Sequence, residues 1–157
     1  MRRFQFNLQR VLDYRVTIEE ALLAELAAIR AEHERELARL ADMVLATEAF
    51  RRKTRDWLST GGPEEIKRAY NYLQHLMRMV SAQEANIRRI EERRNRKTAE
   101  VIEASKSRKA LERLREYRLA EHRQESERQE QNFLDDIAGV RHRRSSRFRD
   151  YAAGGHG

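Results

Sequence analysis

The chain has no cysteine, a single proline, six glycines and only 7 % aromatic residues among its 157. Without cysteine there is no disulfide framework and no thiolate chemistry, which is compatible with a reducing compartment. With one proline and few glycines, little interrupts helix propagation. No apolar run approaches the roughly 20 residues needed to cross a bilayer. Met1-Arg2-Arg3-Phe4 has charge but no apolar stretch behind it, so it is not expected to be a secretory signal. A phosphate-cradling loop is missing too: Gly61-Gly62 is followed by Pro63-Glu64, not by Lys and Ser or Thr, and no strand pattern precedes it. The five histidines, His33, His75, His122, His142 and His156, never fall at i, i+4 with a carboxylate between them. Carboxylates abound, but tuning a pair for acid–base work needs a pocket that two helices do not offer. Catalytic, cofactor-binding and metal sites are therefore expected to be absent, and the protein is read as not an enzyme.

What remains is charge and periodicity. Charged residues make up 38 % of the chain and apolar residues 39 %, the composition of a coiled coil or long helix. Disorder is the competing reading for such polarity, and recurring Leu, Ile and Val on one face weigh against it. The net charge of +7 and isoelectric point near 10.1 permit an acidic partner without identifying one.

One stretch organises the whole: Leu58-Ser59-Thr60-Gly61-Gly62-Pro63-Glu64-Glu65. Gly61 is expected to end one helix with a positive φ, and Gly62 to cap the next. Pro63 suits the first helical position, and Glu64 and Glu65 complement the positive end of the helix dipole. A connection this short makes consecutive helices antiparallel neighbours. The predicted fold is all-α: two long helices in an antiparallel coiled-coil hairpin, the second helix longer, with a disordered C-terminal tail. Residues 1–138 form the hairpin, with helix 1 over about 7–58, the turn at 59–62 and helix 2 over about 63–138; residues 139–157 form the basic tail.

Phe4, Phe6 and Leu8 alternate with polar residues before helix periodicity begins, and Asn7 is a candidate N-cap. In the first arm the stripe Ile18, Leu22, Leu26, Ile29, His33, Leu37, Leu40, Val44 suggests an eleven-residue repeat, which favours a nearly straight or slightly right-handed arrangement. Alanines at 21, 24, 27 and 28 would let another helix approach closely. The second arm keeps sevens: Ile66, Leu73, Val80, Ile87 and Val101 with Arg94 breaking the row, and Leu76, Ile90, Ala104 and Leu111 with a polar gap at Gln83. That is a left-handed heptad seam, so the two arms are expected to mismatch. Between Glu91 and Glu100 the second arm is nearly all charged, and a loose seam, or one covered by Arg and Lys stems, is expected there.

A first arm of about 75 Å at 1.5 Å per residue leaves some 25 residues of the second arm unpaired, a marginal helix by itself. Large soft side chains gather near the turn, among them Phe50, Trp57, Tyr72, Leu76 and Met79, the composition of a capped coiled-coil end or of a protein-binding patch. Arg141, Arg143, Arg144, Arg147 and Arg149 form a basic tail with little aromatic interleaving and no base-reading fold before it, so no nucleic acid is expected as partner.

Two stretches resemble the FliJ family of flagellar type III export proteins. One is Phe4-Gln5-Phe6-Asn7-Leu8 through Val11-Leu12 to Arg15, followed by Glu19-Glu20, similar to the family's opening Phe-x-Phe-x-Leu-x-x-Val/Leu-Leu. The other is Arg108-Lys109-Ala110-Leu111-Glu112-Arg113-Leu114-Arg115-Glu116, leading to Glu130-Gln131 and Leu134-Asp135-Asp136. Asn71-Tyr72 and Gln74 also look like the family's middle segment. Ala110, Arg113 and the Arg-rich tail depart from the pattern. The resemblance implies a cytoplasmic coiled coil similar to the central stalk of rotary ATPases, peripheral at the inner-membrane export apparatus. Its implied partners are the export ATPase hexamer, the cytoplasmic domain of the export gate membrane protein, and export chaperones. Under it, Leu8, Leu12, Leu111 and Leu114 pair at the open end. The expected ATPase-binding residues are Arg15, Arg108, Lys109, Leu111, Leu114 and Arg115, and the expected gate-binding residues are Phe50, Trp57, Tyr72, Leu76 and Met79. A generic coiled-coil adaptor and a basic nucleic-acid-associated helix are the alternative readings.

Overall fold

The computed structural model describes residues 3–153, with side-chain surroundings from 3 to 140. Two helices, α1 (Gln9–Trp57) and α2 (Pro63–Ala153), contain 49 and 91 residues. Among the described residues there is no strand. The all-α two-helix hairpin expected from the sequence is the fold, with the second helix the longer. The chain divides into two compact units, Met1–Asp13 with Lys109–Gly157, and Tyr14–Arg108.

The unit Tyr14–Arg108 is an antiparallel pair: Glu19 meets Arg108, Glu32 meets Arg93 and Phe50 meets Tyr72, numbers rising on α1 as they fall on α2. Gly61 ends α1 without the expected positive φ, since no glycine among the described residues adopts one. Instead the Thr60 and Gly61 N–H groups both donate to the Trp57 carbonyl, at 3.1 and 2.7 Å, tightening the last turn. Glycine at 61 relieves crowding: a Cβ there would lie 3.0 Å from that same carbonyl. Gly62 is the N-cap of α2 as expected, its carbonyl accepting from Glu65 and Ile66. The Glu65 carboxylate reaches back to the Gly62 N–H at 3.3 Å, the return half of a capping box. At the start of α1 the first helical bond runs from the Leu12 N–H to the Leu8 carbonyl, so Leu8, not Asn7, is the cap position.

The seam corrects the expected mismatch. On α1 the side chains turned inward are Glu19, Leu26, His33, Leu40, Thr47 and Thr54 in one row, and Leu22, Ile29, Glu36, Met43 and Phe50 in the other, each row stepping by seven. On α2 the rows from Ile66 to Arg108 and from Ala69 to Ala104 are likewise buried or half-buried throughout. Both arms therefore share the heptad period of a left-handed coiled coil. The eleven-residue reading took Leu37 and Val44 for seam residues; both lie one position outside it, and Glu36 and Met43 face α2 in their place. The alanines at 21, 24, 27 and 28 are exposed, so they do not receive α2.

Polar seam positions hold because each finds a partner. Gln83 donates to the Glu36 carboxylate at 2.6 Å and to the Glu36 carbonyl at 3.1 Å. The buried Thr47 and Thr54 hydroxyls donate to the carbonyls of Met43 and Phe50 one turn back. His33 is a seam residue, its Nε2 3.3 Å from a Glu91 carboxylate oxygen. The charged stretch from Glu91 is closed by cross-helix pairs, Arg93 with Glu32 at 3.0 Å and Lys97 with Glu25 at 2.8 Å. Hydrogen bonds from Lys97 to Glu100 first, and then to Glu25, raise the pKa of its ammonium, so it stays charged. Among the described residues no buried side-chain polar atom lacks a hydrogen-bond partner.

Arg108 and Glu19, both half-buried in the seam, form the last cross-helix ion pair of this unit. Arg108→Ala is expected to destabilise it by about 1–3 kcal/mol, because Glu19 keeps its desolvation cost and loses its guanidinium. Replacing both residues by Leu is expected to be neutral or stabilising, since the row is otherwise apolar-compatible. Urea unfolding followed by circular dichroism separates these outcomes; equal destabilisation by the single and double changes would show that the pair contributes no such coupling.

In the other unit, α2 continues past the expected boundary at 138 as far as Ala153. Gly139 is the only residue from 109 to 153 with poor enough propensity to interrupt it, and one glycine costs only about 1 kcal/mol. Residues 139–157, expected as a disordered tail, have a helical backbone as far as Ala153, while their side chains from 141 and their backbone from 154 lie outside the described residues.

Candidate functional site

Near the turn, α1 ends and α2 begins with aromatic groups that the seam does not absorb. Phe50 occupies an inward position, and its ring meets Tyr72 edge-on, with centroids 4.7 Å apart and planes at 72°. Edge-to-face contact of this kind fixes both rings. Trp57 remains 56 % exposed and Tyr72 50 % exposed. These three residues, with Thr60, Gly61, Glu65, Arg68 and Ala69, line an open groove of about 510 Å³. The turn sets its position: the Trp57 carbonyl holds the Gly61 N–H, and Glu65 caps Gly62, so the groove floor is the connection itself. Arg68 gives one wall a positive charge.

The five residues expected to form a gate contact do not all converge. Phe50, Trp57 and Tyr72 share the groove. Leu76 is a half-buried seam residue, and Met79, exposed, is not among the groove's walls. Leu76, four residues beyond Tyr72, turns into the seam, while Met79, seven beyond Tyr72, keeps roughly its side of α2 but stands two turns, about 10 Å, farther along the helix.

The unit formed by the N-terminal segment and the later part of α2 carries a second concavity. Residues 3–6 run outside regular secondary structure, a turn closed by the Gln9 N–H on the Phe6 carbonyl follows, and α1 then starts. Phe4 and Phe6 are half-buried, and Phe4 meets His122 edge-on at 5.6 Å. Phe4, Phe6, Leu8, Leu114, Arg118 and His122 are among the walls of a cavity of about 810 Å³. Leu8 and Leu114, expected to pair, share this cavity; Leu12 is buried and Leu111 half-buried. Lys109 and Arg115 are exposed. Of the remaining residues expected to meet a ring, Arg15 is exposed, and Arg108 is committed to Glu19.

The Phe4–His122 contact was not anticipated, although its signal is present. His122 continues the row of sevens that begins at Ile66, and the alternation Phe4, Phe6, Leu8 marks an extended segment with one apolar side.

No helix among the described residues is long and apolar enough to cross a membrane. No curated protein and no solved structure matches the chain. The family model described as flagellar FliJ protein matches residues 4–147, nearly the whole chain and inclusive of both stretches that carry the resemblance. This two-helix chain therefore belongs to the FliJ family, and is a component of the flagellar export apparatus.

Proposed function

We propose that the protein acts as a stalk-like coiled coil that engages the export ATPase ring, couples it to the cytoplasmic domain of the export gate, and handles export chaperones. In this reading it works in the cytoplasm, peripheral to the membrane that holds the gate. The observation that carries the reading is the polar-laddered seam of the unit Tyr14–Arg108. Ion pairs and hydrogen bonds at Glu19, Glu25, Glu32, His33 and Glu36 fix one antiparallel register, as a torque- or position-transmitting element requires. Membership of the family supports the choice of partners.

The ring contact is assigned to Lys109, Leu111, Leu114 and Arg115 on α2, with Arg15 on α1 as a further cation; Arg108 contributes by holding the seam through Glu19. Charge reversal at exposed positions leaves packing intact while opposing an acidic counterpart. Lys109→Glu with Arg115→Glu is expected to lower stimulation of the purified export ATPase severalfold, with helicity unchanged by circular dichroism. Full stimulation by that variant would place the ring contact elsewhere. Arg108 is left unchanged in this test because its loss would disturb the seam. The gate contact is assigned to the groove of Phe50, Trp57 and Tyr72, with Leu76 supporting it from the seam and Met79 beside it.

A further inference from the structure

The two flanks of the seam in the unit Tyr14–Arg108 are unlike. On one flank Glu25 and Glu32 of α1, seven residues apart, bridge to Lys97 and Arg93 of α2 and close the edge with charge. The opposite flank carries Leu37 and Val44 on α1, also seven apart and one step outside the seam, and Tyr70 and Met77 on α2, again seven apart. All four are exposed, Val44 by 42 % and Met77 by 43 %. Val44 and Met77 line one open groove with the seam residues Thr47 and Val80, and its rim carries Glu48, Arg51 and Glu84. Arg51 is paired with Glu48 at 2.9 Å and rests on the Met77 sulfur.

We infer that this flank is a docking groove for one amphipathic helix of a partner protein, packed as a third strand against α1 and α2. Three features select a helix over other occupants. Along the flank that holds the groove the exposed apolar positions repeat every seven residues on each helix, Leu37 and Val44 on α1 and Tyr70 and Met77 on α2, the spacing that a third coiled-coil helix matches and an extended peptide does not. The groove shares Thr47 and Val80 with the existing seam, so knobs from a third helix would enter holes continuous with those already formed. The carboxylate of Glu84 at the rim favours Lys or Arg beside the apolar stripe of the incoming helix. Leu37 to Tyr70 lies toward the turn end of the unit, and the groove uses none of the residues assigned to the ring or gate contacts. It is therefore independent of them.

The probe is a fluorescein-labelled synthetic peptide of four heptads with Leu at the two core positions and Lys at the flanking ones, titrated with the full chain by fluorescence anisotropy. Wild type and Ala46→Asn, which changes the ion-paired flank, are expected to bind it alike. Val44→Asn with Met77→Gln is expected to bind at least about tenfold more weakly, the range for loss of apolar anchors. These neutral changes at half-exposed sites leave charge attraction to the peptide untouched, and thermal melts check folding. A second measurement avoids destabilisation. The chain has no cysteine, so Val44→Cys and Ala46→Cys can each carry one dansyl group, and the peptide should shift emission to the blue only at position 44. Equal binding by all variants with equal shifts at both labels would overturn the proposal. So would sedimentation equilibrium showing a wild-type dimer that Val44→Asn with Met77→Gln turns into monomer, because a second copy would then be the occupant.

Discussion

Ile90→Ala is expected to be the most damaging single change in the unit Tyr14–Arg108. Ile90 is 2 % exposed, the deepest of its core residues, and sits in the α2 row between Gln83 and Lys97, where its neighbours in the row are polar. Loss of its three outer carbons removes transfer free energy and leaves a space that two helices bridged by ion pairs on one edge cannot freely collapse into. The cost is about 2–4 kcal/mol. A two-helix unit has one thin seam and no second layer, so a loss of this size is a large share of its stability. Urea titration monitored at 222 nm should show the midpoint falling sharply, whereas Ile102→Ala, at an exposed position, should change stability by less than about 0.5 kcal/mol. Similar midpoints for the two variants would mean that the seam around Ile90 is not where the unit's stability resides.

The second large effect is expected in binding. Trp57→Ala with Tyr72→Ala removes both exposed aromatic walls of the turn groove and leaves Phe50 without its edge-on partner. Desolvating two such rings against a partner is worth several kcal/mol, at ~25 cal/mol per Å² before the costs of association. Aromatic anchors dominate interface energies. The double variant should therefore bind the cytoplasmic domain of the export gate at least about tenfold more weakly while stimulating the ATPase as well as wild type. Paired titrations against the two partners, with unfolding followed in parallel, provide the check. Normal gate binding would mean that the two rings only cap the coiled-coil end. Loss of both activities with a lowered unfolding midpoint would show that the tip supports the hairpin rather than the gate contact.

The turn groove and the residues expected to meet the ATPase were legible in the sequence only in part. Trp57, Tyr72 and Phe50 stand out by type, because large aromatics are scarce in this chain and two-helix seams have little room for them. Their convergence does not stand out, since it depends on which side of α2 each residue takes once α1 is in place. Leu76 and Met79, chosen on the same compositional ground, fall into the seam and two turns farther along α2. Arg108 is a similar case: in the sequence it is one cation in a basic run, and only the approach of Glu19, 89 residues away, makes it a seam residue.

By itself the sequence determined the helices, the place of the turn and the start of α2 at Gly62-Pro63, the heptad period of α2 and the family. Each rests on local physics: one proline at the only position that tolerates it well, an N-cap glycine with a returning glutamate, and sevens in apolar residues along one helix. The tertiary structure alone decided the register and period of α1. Apolar patterning assumes that inward positions are hydrophobic, and here Glu19, Glu36, Thr47 and Thr54 face inward because α2 or the preceding turn satisfies them, while Leu37 and Val44 are left outside. A buried polar group is tolerated when its partner is supplied: for Thr47 and Thr54 it lies one turn back, but for Glu19 and Glu36 it lies 89 and 47 residues away in the chain.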